Sequence, residues 1–434
     1  MAENNLEESV EYIINLSSFS CHEEEVSSDA WQKLSSSIHS LFISLKDVKV
    51  DFKKLSSRTL VHLLLIAYGV VGNLQSSKKL INLDGKIVNL AYLVTDEIAS
   101  SFNISGTLEL MNTSIGNDDH VKREIIYYLI LQETTRLITH LSNGSDISPL
   151  CKGPLFRDAL LFTTLSVKYP TLNDGQQLNI LHPFCLQLLE DYRTNIKLCG
   201  LTLLTHLSDQ FLLSSWRLSG RAMATLEALA VQRTTSGQNM MILDLINSCS
   251  LKFIRKLERE DSIIWAEKFM EQLLVDANLE GNLEKRLLLL GSIYDTMQVL
   301  DKRISIQSKR LIEVIQNALL APPQPVYKKN MKEKEQTSYL LLLKILMTFV
   351  DLTIDILYPD LIEMVVPPLG VFYELANERI DLISDAPFLE SLSKSIIEIF
   401  DKLASPNTEF FRALLTEMSV TFPSLENIIC KCTL

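Results

Sequence analysis

A long stretch without proline constrains the fold of this chain most strongly. Between Phe184 and Ala321 there is no proline, and apolar residues recur there at helical spacing. Proline inside a helix removes a hydrogen bond and costs about 3 kcal/mol, so a stretch of this length without it favours consecutive helices. The alternation of apolar and polar residues that marks half-buried strands is scarce along the chain. We therefore expect an all-α protein.

Two segments show this helical periodicity clearly. In each, apolar or small residues recur at i, i+3, i+4 and i+7, which places them on one face of a helix. The first set is Ile242, Leu245, Ile246, Cys249, Phe253 and Leu257, and the second is Leu287, Leu290, Gly291, Tyr294 and Met297. We predict that each set forms the buried face of an amphipathic helix.

The segment from His182 to Leu207 predicts a pair of packed helices. Pro183 opens or bends the first helix, which ends at Asp191, and Asn195 is the candidate cap of the second. Gly200 lies on the apolar face of the second helix. It permits close approach of the first helix at a cost of about 1 kcal/mol relative to alanine.

The spacing of Pro183, Asp191 and Lys197 resembles that of a HEAT repeat. That family has a proline in the first helix, then an aspartate, then a basic residue, and the last two bridge neighbouring repeats. The resemblance implies a degenerate HEAT- or armadillo-like solenoid of helical hairpins, with Pro183, Asp191, Lys197 and Gly200 as its motif residues. The alternative is an ordinary helical hairpin with a surface aspartate and lysine, because no clean period of about 40 residues recurs.

Length and composition predict four segments. The 434 residues exceed the usual size of a single core. We expect a divergent, partly loose helical region at 1–120, HEAT-like repeats at 121–320 and further repeats at 337–434. A linker or long loop is predicted at 321–336, because prolines there precede a run of lysines and glutamates.

Searches for catalytic and cofactor motifs give no candidate active site. Phosphate-binding glycine loops, His-Glu-x-x-His and Gly-x-Ser-x-Gly do not occur in the sequence. Gly69 and Gly72 belong to an apolar segment, and we interpret them as core-packing residues. Asp158, Glu190 and Asp191 are the carboxylates nearest the best-formed helices, but the pattern supplies no acid–base partner for them. We expect no enzyme activity and no cofactor.

Fragments of metal sites are present but incomplete. Zinc needs three or four ligands with paired spacing, and neither Cys21-His22-Glu23 nor Cys430-Lys431-Cys432 has a second pair nearby. Three histidines, at positions 62, 182 and 206, lie in apolar segments and are interpreted as core side chains. We expect no metal site.

The charge distribution argues against nucleic acid as a ligand. The net charge is −12, and basic against acidic side chains number 12 and 19 in residues 1–150, 19 and 18 in 151–320, and 10 and 16 in 321–434. Binding to a duplex needs a concentrated basic surface. The acidic end segments fit protein partners better.

Two apolar stretches are too short or too charged to predict membrane spans. Thr59 to Ser77 is strongly apolar only in its first part, and Tyr339 to Leu357 contains Lys344, Asp351 and Asp355. A charge near the bilayer centre costs at least about 2.5 kcal/mol. We expect both to be buried helices and expect no membrane association. The acidic N-terminus lacks the pattern of a signal or transit peptide, so a cytoplasmic protein with the nucleus as a second compartment is expected.

The helix-pair segment also resembles a particular family. The run Leu188-Leu189-Glu190-Asp191-Tyr192, followed by Lys197, Gly200, Leu203, Leu204 and His206, looks like the core motif of the Tel-two-interacting protein two family. In that family an apolar helix ends in an acidic-acidic-aromatic run, and a Lys-x-x-Gly helix follows. The specific match covers residues 182–207.

The resemblance implies a scaffold in a cochaperone assembly. Members are the smallest subunit of the triple-T (TTT) complex, with the Tel-two protein and a large HEAT subunit. With the ninety-kilodalton heat-shock chaperone, that complex supports the maturation and stability of phosphatidylinositol-kinase-related protein kinases, which act in DNA-damage and nutrient (TOR) signalling. Two alternatives remain open: another HEAT-like adaptor, such as a transport or coat component, and an all-α enzyme with a dispersed site.

Overall fold

A computed structural model of the protein describes most of the chain. The described residues are 2–16, 28–47, 50–75, 85–104, 107–111, 114–115, 124–126, 129–134, 136, 154–166, 174–191, 194–235, 239–320, 329–358, 360–378 and 386–432. Their contacts form two compact units, Met1–Cys249 and Ser250–Leu434, called unit 1 and unit 2 below. The boundary lies inside the predicted 121–320 segment, where the sequence predicts none.

Helices form nearly all the regular structure of unit 1. They are α1 (Ala2–Leu16), α2 (Ser28–Asp47), α3 (Ser57–Gln75), α4 (Gly85–Ser101), α5 (Thr107–Met111), α6 (Pro154–Ser166), α7 (Asp174–Glu190), α8 (Thr194–Gln210), α9 (Leu213–Arg217), α10 (Arg221–Thr235) and α11 (Met240–Ile254), which crosses into unit 2. A 3₁₀ turn covers Phe52–Lys54, and residues 129–134 are helical. Two-residue strands β1 (Ser114–Ile115) and β2 (Glu124–Ile125) pair antiparallel.

Unit 2 continues with longer helices. They are α12 (Arg259–Leu279), α13 (Leu283–Leu300), α14 (Ser308–Leu320), α15 (Lys329–Leu357), α16 (Asp360–Glu378), α17 (Ala386–Ala404), α18 (Thr408–Thr421) and α19 (Glu426–Ile429). Two 3₁₀ segments, Asp301–Gln307 and Pro423–Leu425, join them.

Unit 2 is a two-layer stack of helical hairpins. Successive helices pair as α12 with α13, α14 with α15, α16 with α17, and α18 with α19. Within one layer α12 contacts α14 and α14 contacts α16, and in the other α13, α15, α17 and α19 contact in turn. Each hairpin buries its apolar face against the next one, as in helical-repeat proteins. The predicted all-α, HEAT-like hairpin architecture is confirmed.

Unit 1 is built from hairpins as well, with one unusually close contact. Helices α1 and α2, α3 and α4, and α7 and α8 pair, while α3 packs along α6. A Cβ atom at Gly72 would lie 2.3 Å from the carbonyl oxygen of Asp158, and one at Gly69 would lie 2.5 Å from that of Leu155. Both glycines therefore pack two helix backbones together, which confirms their interpretation as core residues.

The N-terminal hairpin has a formed core in its described part. Val10 and Ile13 of α1, and Ile38 and Phe42 of α2, are each almost fully buried. The sequence predicted a partly loose helical region at 1–120. Several of the serine hydroxyls bond to the carbonyl of their own helix one turn earlier, as Ser44 does to Ser40, so these side chains do not disrupt the helices.

Half of the predicted linker is helical. Helix α15 begins at Lys329, so residues 329–336 are not a linker, and residues 321–328 lie outside the described part. Lysine and glutamate alternate over this first stretch of α15. Both are good helix formers, and opposite charges three or four residues apart stabilise a helix.

One of the two predicted buried faces is displaced. In α11 the residues at 242, 246, 249 and 253 are buried as predicted. In α13 the core is instead formed by Leu289, Leu290, Ile293 and Met297, while Leu287, Gly291 and Tyr294 are only half-buried. Leucine fills all four positions from 287 to 290, so periodicity alone does not select the core face there.

The two apolar stretches tested for membrane spans are core helices. Residues 59–72 of α3 are buried throughout, and α15 buries one side. Among the described residues, no helix is long and apolar enough to cross a membrane.

Candidate functional site: the repeat motif and the bonds between hairpins

Gly200 lies where α8 crosses α7. A Cβ atom there would lie 2.9 Å from the Cβ of Leu188 and 3.1 Å from the carbonyl oxygen of Cys185, so any side chain would push the helices apart. Pro183 is exposed in the interior of α7, which continues through it to Glu190. Helix α8 begins at Thr194, so Asn195 lies within its first turn and not at the predicted cap.

Asp191 and Lys197 lie close enough to interact, but the bond to the next hairpin has a different partner. Asp191 follows α7 directly and is only 4% exposed. Burial lowers the pKa of the Lys197 ammonium, and the charge of Asp191 opposes that shift. The Lys197 ammonium donates to the side-chain oxygen of Gln232 in α10, at 2.6 Å. The resemblance to HEAT repeats implies an aspartate–basic ladder, and here the Lys197 ammonium also bonds to a glutamine of the next hairpin.

A buried bond joins α7 to the same helix, α10. His182 of α7 lies 2.9 Å from the hydroxyl of Thr225 in α10, and its ring meets Trp216 edge-on at 5.8 Å between centroids. The Thr225 hydroxyl donates to the carbonyl of Arg221, so the Nε2 of His182 is the donor to Thr225. Burial, with Arg221 nearby, lowers the pKa of His182 to about 4. His182 is therefore a neutral core side chain, as its apolar setting predicts.

These bonds show how far apart in sequence neighbouring hairpins lie. In unit 1, Asn179 bonds to Arg221 and His182 to Thr225, which are separations of 42 and 43 residues. In unit 2 the α12–α14 bonds span 35 and 39 residues and the α14–α16 bond spans 48. In the other layer the α13–α15 and α15–α17 bonds span 50 and 51 residues. Because the step between hairpins changes along the chain, no single period is visible in the sequence.

The bonds between hairpins of unit 2 form exposed ladders. Arg303 of the 3₁₀ segment before α14 pairs with Glu267 of α12 at 3.2 Å, and Arg310 of α14 pairs with Glu271 of α12. Asn317 donates to the side chain of Asn278 at 2.8 Å near the end of the ladder. On the other layer, Lys334 pairs with Glu284 and Lys402 with Asp351. Sequence reasoning missed these residues, since charged residues at helical spacing are common on any solvated face.

A histidine–carboxylate pair links a buried and a half-buried side chain in the described part of unit 1. His62 of α3 lies 2.7 Å from a carboxylate oxygen of Glu133, and Arg136 donates to the other oxygen at 2.8 Å. Burial alone would raise the pKa of Glu133, but the hydrogen bonds from Arg136 and His62 outweigh it and lower the pKa to about 2. The cluster ties α3 to the helical residues 129–134.

The other described residues that the sequence offered for catalysis or metal binding do not lie together in one site. Asp158 is fully buried and Glu190 is exposed. Cys21-His22-Glu23 lies outside the described residues, whereas Cys430 is exposed and Cys432 half-buried. Within the described ranges, no three His, Cys, Asp or Glu side chains group as metal ligands would.

A groove lies between α1 and α2. Its volume is about 770 Å³, and serines of α2 and residues such as Asn5, Leu6 and Tyr12 of α1 line it. It contains one charged side chain, Glu8, and no pair of groups suited to acid–base chemistry.

Comparisons with known proteins give structural likeness only. No protein-family model matches the chain, and no curated protein matches it. Importin beta aligns with a TM-score of 0.47 and 12% identity, over 93% of this chain and 48% of that one, so the chain spans about half the length of importin beta. An engineered protein aligns at 0.40 and 11%, over 97% of both chains. A circular tandem repeat protein aligns at 0.23 and 14%, over 98% of this chain and 91% of that one.

Proposed function

We propose that this protein is a non-enzymatic scaffold that binds other proteins, and that it is a subunit of a TTT-like cochaperone complex. The observation that carries the scaffold is the stack of hairpins in unit 2, tied by bonds from each hairpin to the next. Such a stack offers an extended surface of side chains from successive helices, which is how helical-repeat proteins bind their partners.

Support for the specific complex comes from the segment 182–207. Its motif residues make a distinct contact, in which Gly200 admits Leu188 of the preceding helix. These residues brace the fold, so they give no partner surface. The expected partners are the Tel-two protein and the large HEAT subunit, acting with the ninety-kilodalton chaperone on phosphatidylinositol-kinase-related kinases in the cytoplasm and nucleus.

Reconstitution with purified partners tests this proposal directly. The full chain would be mixed with the recombinant Tel-two protein and the large HEAT subunit, and the mixture analysed by size-exclusion chromatography with light scattering. We expect one stoichiometric complex at low salt. Separate elution of the three proteins at micromolar concentration would contradict the proposal.

A destabilised variant serves as the control. Gly72→Leu forces apart the backbones of α3 and α6, so it should lose the complex together with the fold of unit 1. Binding to a Ran-type GTPase in place of the two expected subunits would favour the transport adaptor.

A further inference from the structure

The turn between α17 and α18 carries a Ser-Pro dipeptide at the surface. Ser405 and Pro406 directly follow the last residue of α17, and every residue from 405 to 410 is exposed. We call residues 405–407 the Ser405 turn. The sequence contains a second Ser-Pro dipeptide, Ser148-Pro149, which lies outside the described residues.

The hydrogen bonds of the Ser405 turn are local. The hydroxyl of Ser405 donates to the carbonyl oxygen of Lys402 at 2.8 Å, and its backbone N–H donates to the same oxygen at 3.1 Å. The N–H of Asn407 donates to the carbonyl of Ala404, and its side chain accepts from the N–H of Phe410. Among the described residues, no hydrogen bond of the turn reaches beyond α17 and α18. The turn can therefore open without breaking a bond to α15 or α16.

An exposed hydroxyl followed by proline suits one class of modifying enzyme. Proline disfavours the helical conformation of the residue before it, so Ser405 tends to become extended once the turn opens. Proline-directed protein kinases bind an extended segment with proline directly after the acceptor hydroxyl. In the transfer, the oxygen of Ser405 forms a bond to the γ-phosphorus of ATP, and the bond from that phosphorus to the bridging oxygen breaks. ADP leaves, and a base of the kinase takes the hydroxyl proton.

A phosphate on Ser405 would reverse the polarity of its contact with Lys402. The hydroxyl now donates to the Lys402 carbonyl. A phosphate ester has no proton on that oxygen, and it carries a charge of about −1.5 to −2 at pH 7. The carbonyl also lies at the carboxyl end of α17, where the helix dipole is negative. The phosphate is therefore repelled from this carbonyl and turns towards a cation.

The side chain of Lys402 is the cation closest to Ser405 in the sequence. Residues three apart are neighbours on a helix surface, and the N–H bond of Ser405 continues the last turn of α17. The Lys402 ammonium is now bonded to Asp351 of α15, and the two side chains are 41% and 42% exposed. A phosphate dianion attracts an ammonium more strongly than a single carboxylate does.

We propose that Ser405 is phosphorylated by a proline-directed protein kinase and that its phosphate draws Lys402 away from Asp351. The Lys402–Asp351 bond ties α17 to α15, which belongs to an earlier hairpin. Phosphorylation would thus release one bond between hairpins of unit 2, at a position that an enzyme can reach from solvent. The inference goes beyond the proposed scaffold function and requires none of its named partners.

Phosphorylation of the folded, full-length chain tests the first part. The Ser148→Ala variant would be incubated with a purified mitogen-activated protein kinase and MgATP, and the modified residues mapped by mass spectrometry. We expect phosphate on Ser405. Adding Pro406→Ala should slow this reaction at least about tenfold without lowering the melting temperature. If a synthetic peptide of residues 400–411 is phosphorylated but Ser405 of the folded protein is not, the proposal is wrong.

The ionisation of the phosphate tests the second part. Phosphorus nuclear magnetic resonance follows the second proton of phosphoserine, whose ordinary pKa is about 6. An ammonium beside the phosphate favours the dianion, so Lys402→Gln should raise this pKa by about 1. Asp351→Asn removes the competing carboxylate, so it should lower the phosphate pKa below that of the wild type. Arg412→Gln, which removes a cation seven residues after Ser405, is the matched control and should leave it unchanged.

These measurements separate the modification from the cochaperone assembly. A phosphate pKa that is equal in the wild type and in Lys402→Gln would overturn the transfer of Lys402, even if the expected subunits assemble. Opposite shifts for Lys402→Gln and Asp351→Asn would support it even if those subunits do not assemble, because neither measurement contains them.

Discussion

The two units join their hairpins by different kinds of bond. In unit 1 two connecting bonds, His182–Thr225 and Lys197–Gln232, are buried or half-buried and have an uncharged acceptor, whereas Arg221–Asn179 is exposed. In unit 2 most of them are exposed ion pairs, and the side chains of Arg310 and Glu271 are 54% and 52% exposed. Buried polar groups cost free energy unless they are bonded, whereas exposed pairs contribute about 0–1 kcal/mol each. Unit 1 should therefore be sensitive to single changes that unit 2 tolerates.

The largest effect should come from the closest helix contact in unit 1. Gly72→Leu places a side chain against the carbonyl oxygen of Asp158, 2.3 Å from the new Cβ. We expect the free energy of unfolding to fall by more than about 3 kcal/mol, at the upper end for overpacking. Urea titration followed by circular dichroism measures it. Gly85→Leu, where the added Cβ meets nothing within 4 Å, is the matched control. Equal stability of the two variants would show that α3 and α6 are not in backbone contact.

Gly200→Leu should act in the same direction by a smaller amount. Its nearest neighbour is the Cβ of Leu188 at 2.9 Å, and two backbone atoms lie within 3.2 Å, so the clash is less severe than the 2.3 Å approach at Gly72. We expect a loss of about 1–3 kcal/mol, read as a lower melting temperature. An unchanged melting temperature would show that Gly200 does not lie at the contact between α7 and α8.

Mild acid should weaken unit 1 before unit 2. The folded pKa of His182, about 4, lies below its ordinary value of 6.5. The unfolded chain therefore binds more protons in this interval, and stability is complete above pH 6.5 and falls as the pH drops towards 4. The pKa of Glu133 is lowered from 4.5 to about 2, so the folded protein loses further stability as the pH falls below 4.5. Hydrogen exchange resolved by unit, measured across this range, should show earlier loss of protection in unit 1.

His182→Gln provides the control for the acid effect, because it removes the titrating group. This variant should lose less protection between pH 6.5 and 4 than the wild type does. Parallel loss in both units, with no change on substitution, would refute a local origin in His182.

The smallest effect is expected in the ladder of unit 2. Arg310→Gln removes one partner of an exposed pair and should cost less than about 1 kcal/mol. Salt should reduce even that difference, because the Debye length is only about 10 Å at 0.1 M. A double-mutant cycle with Glu271→Gln measures the coupling. A coupling of several kcal/mol that is independent of salt would mean that unit 2 is as sensitive as unit 1 to the loss of one bond between hairpins.

Sequence reasoning predicted the class of fold and the helix pair, because both depend on local patterns. The absence of proline and the spacing of apolar residues depend on residues within one helix. A glycine that faces leucine depends on two paired helices. The α13 face could not be predicted, since four consecutive leucines satisfy several registers and only contacts with α12 and α15 select among them. Likewise Gln232 and Thr225 carry no local signal, and their partners on α7 and α8 come from a hairpin about 40 residues earlier.

The sequence separation between bonded residues of neighbouring hairpins is not constant, and this limits how far the hairpins can act as exchangeable modules. Consensus repeat proteins gain or lose whole repeats because every interface has the same register. Here the α12–α14 interface is set by bonds between residues 35 and 39 apart and the α14–α16 interface by one between residues 48 apart. The α13–α15 and α15–α17 interfaces have bonds between residues 50 and 51 apart. Deleting or duplicating one hairpin would bring together helix faces whose bonding residues do not match. The hairpins are not interchangeable parts, and each has its own position in the array.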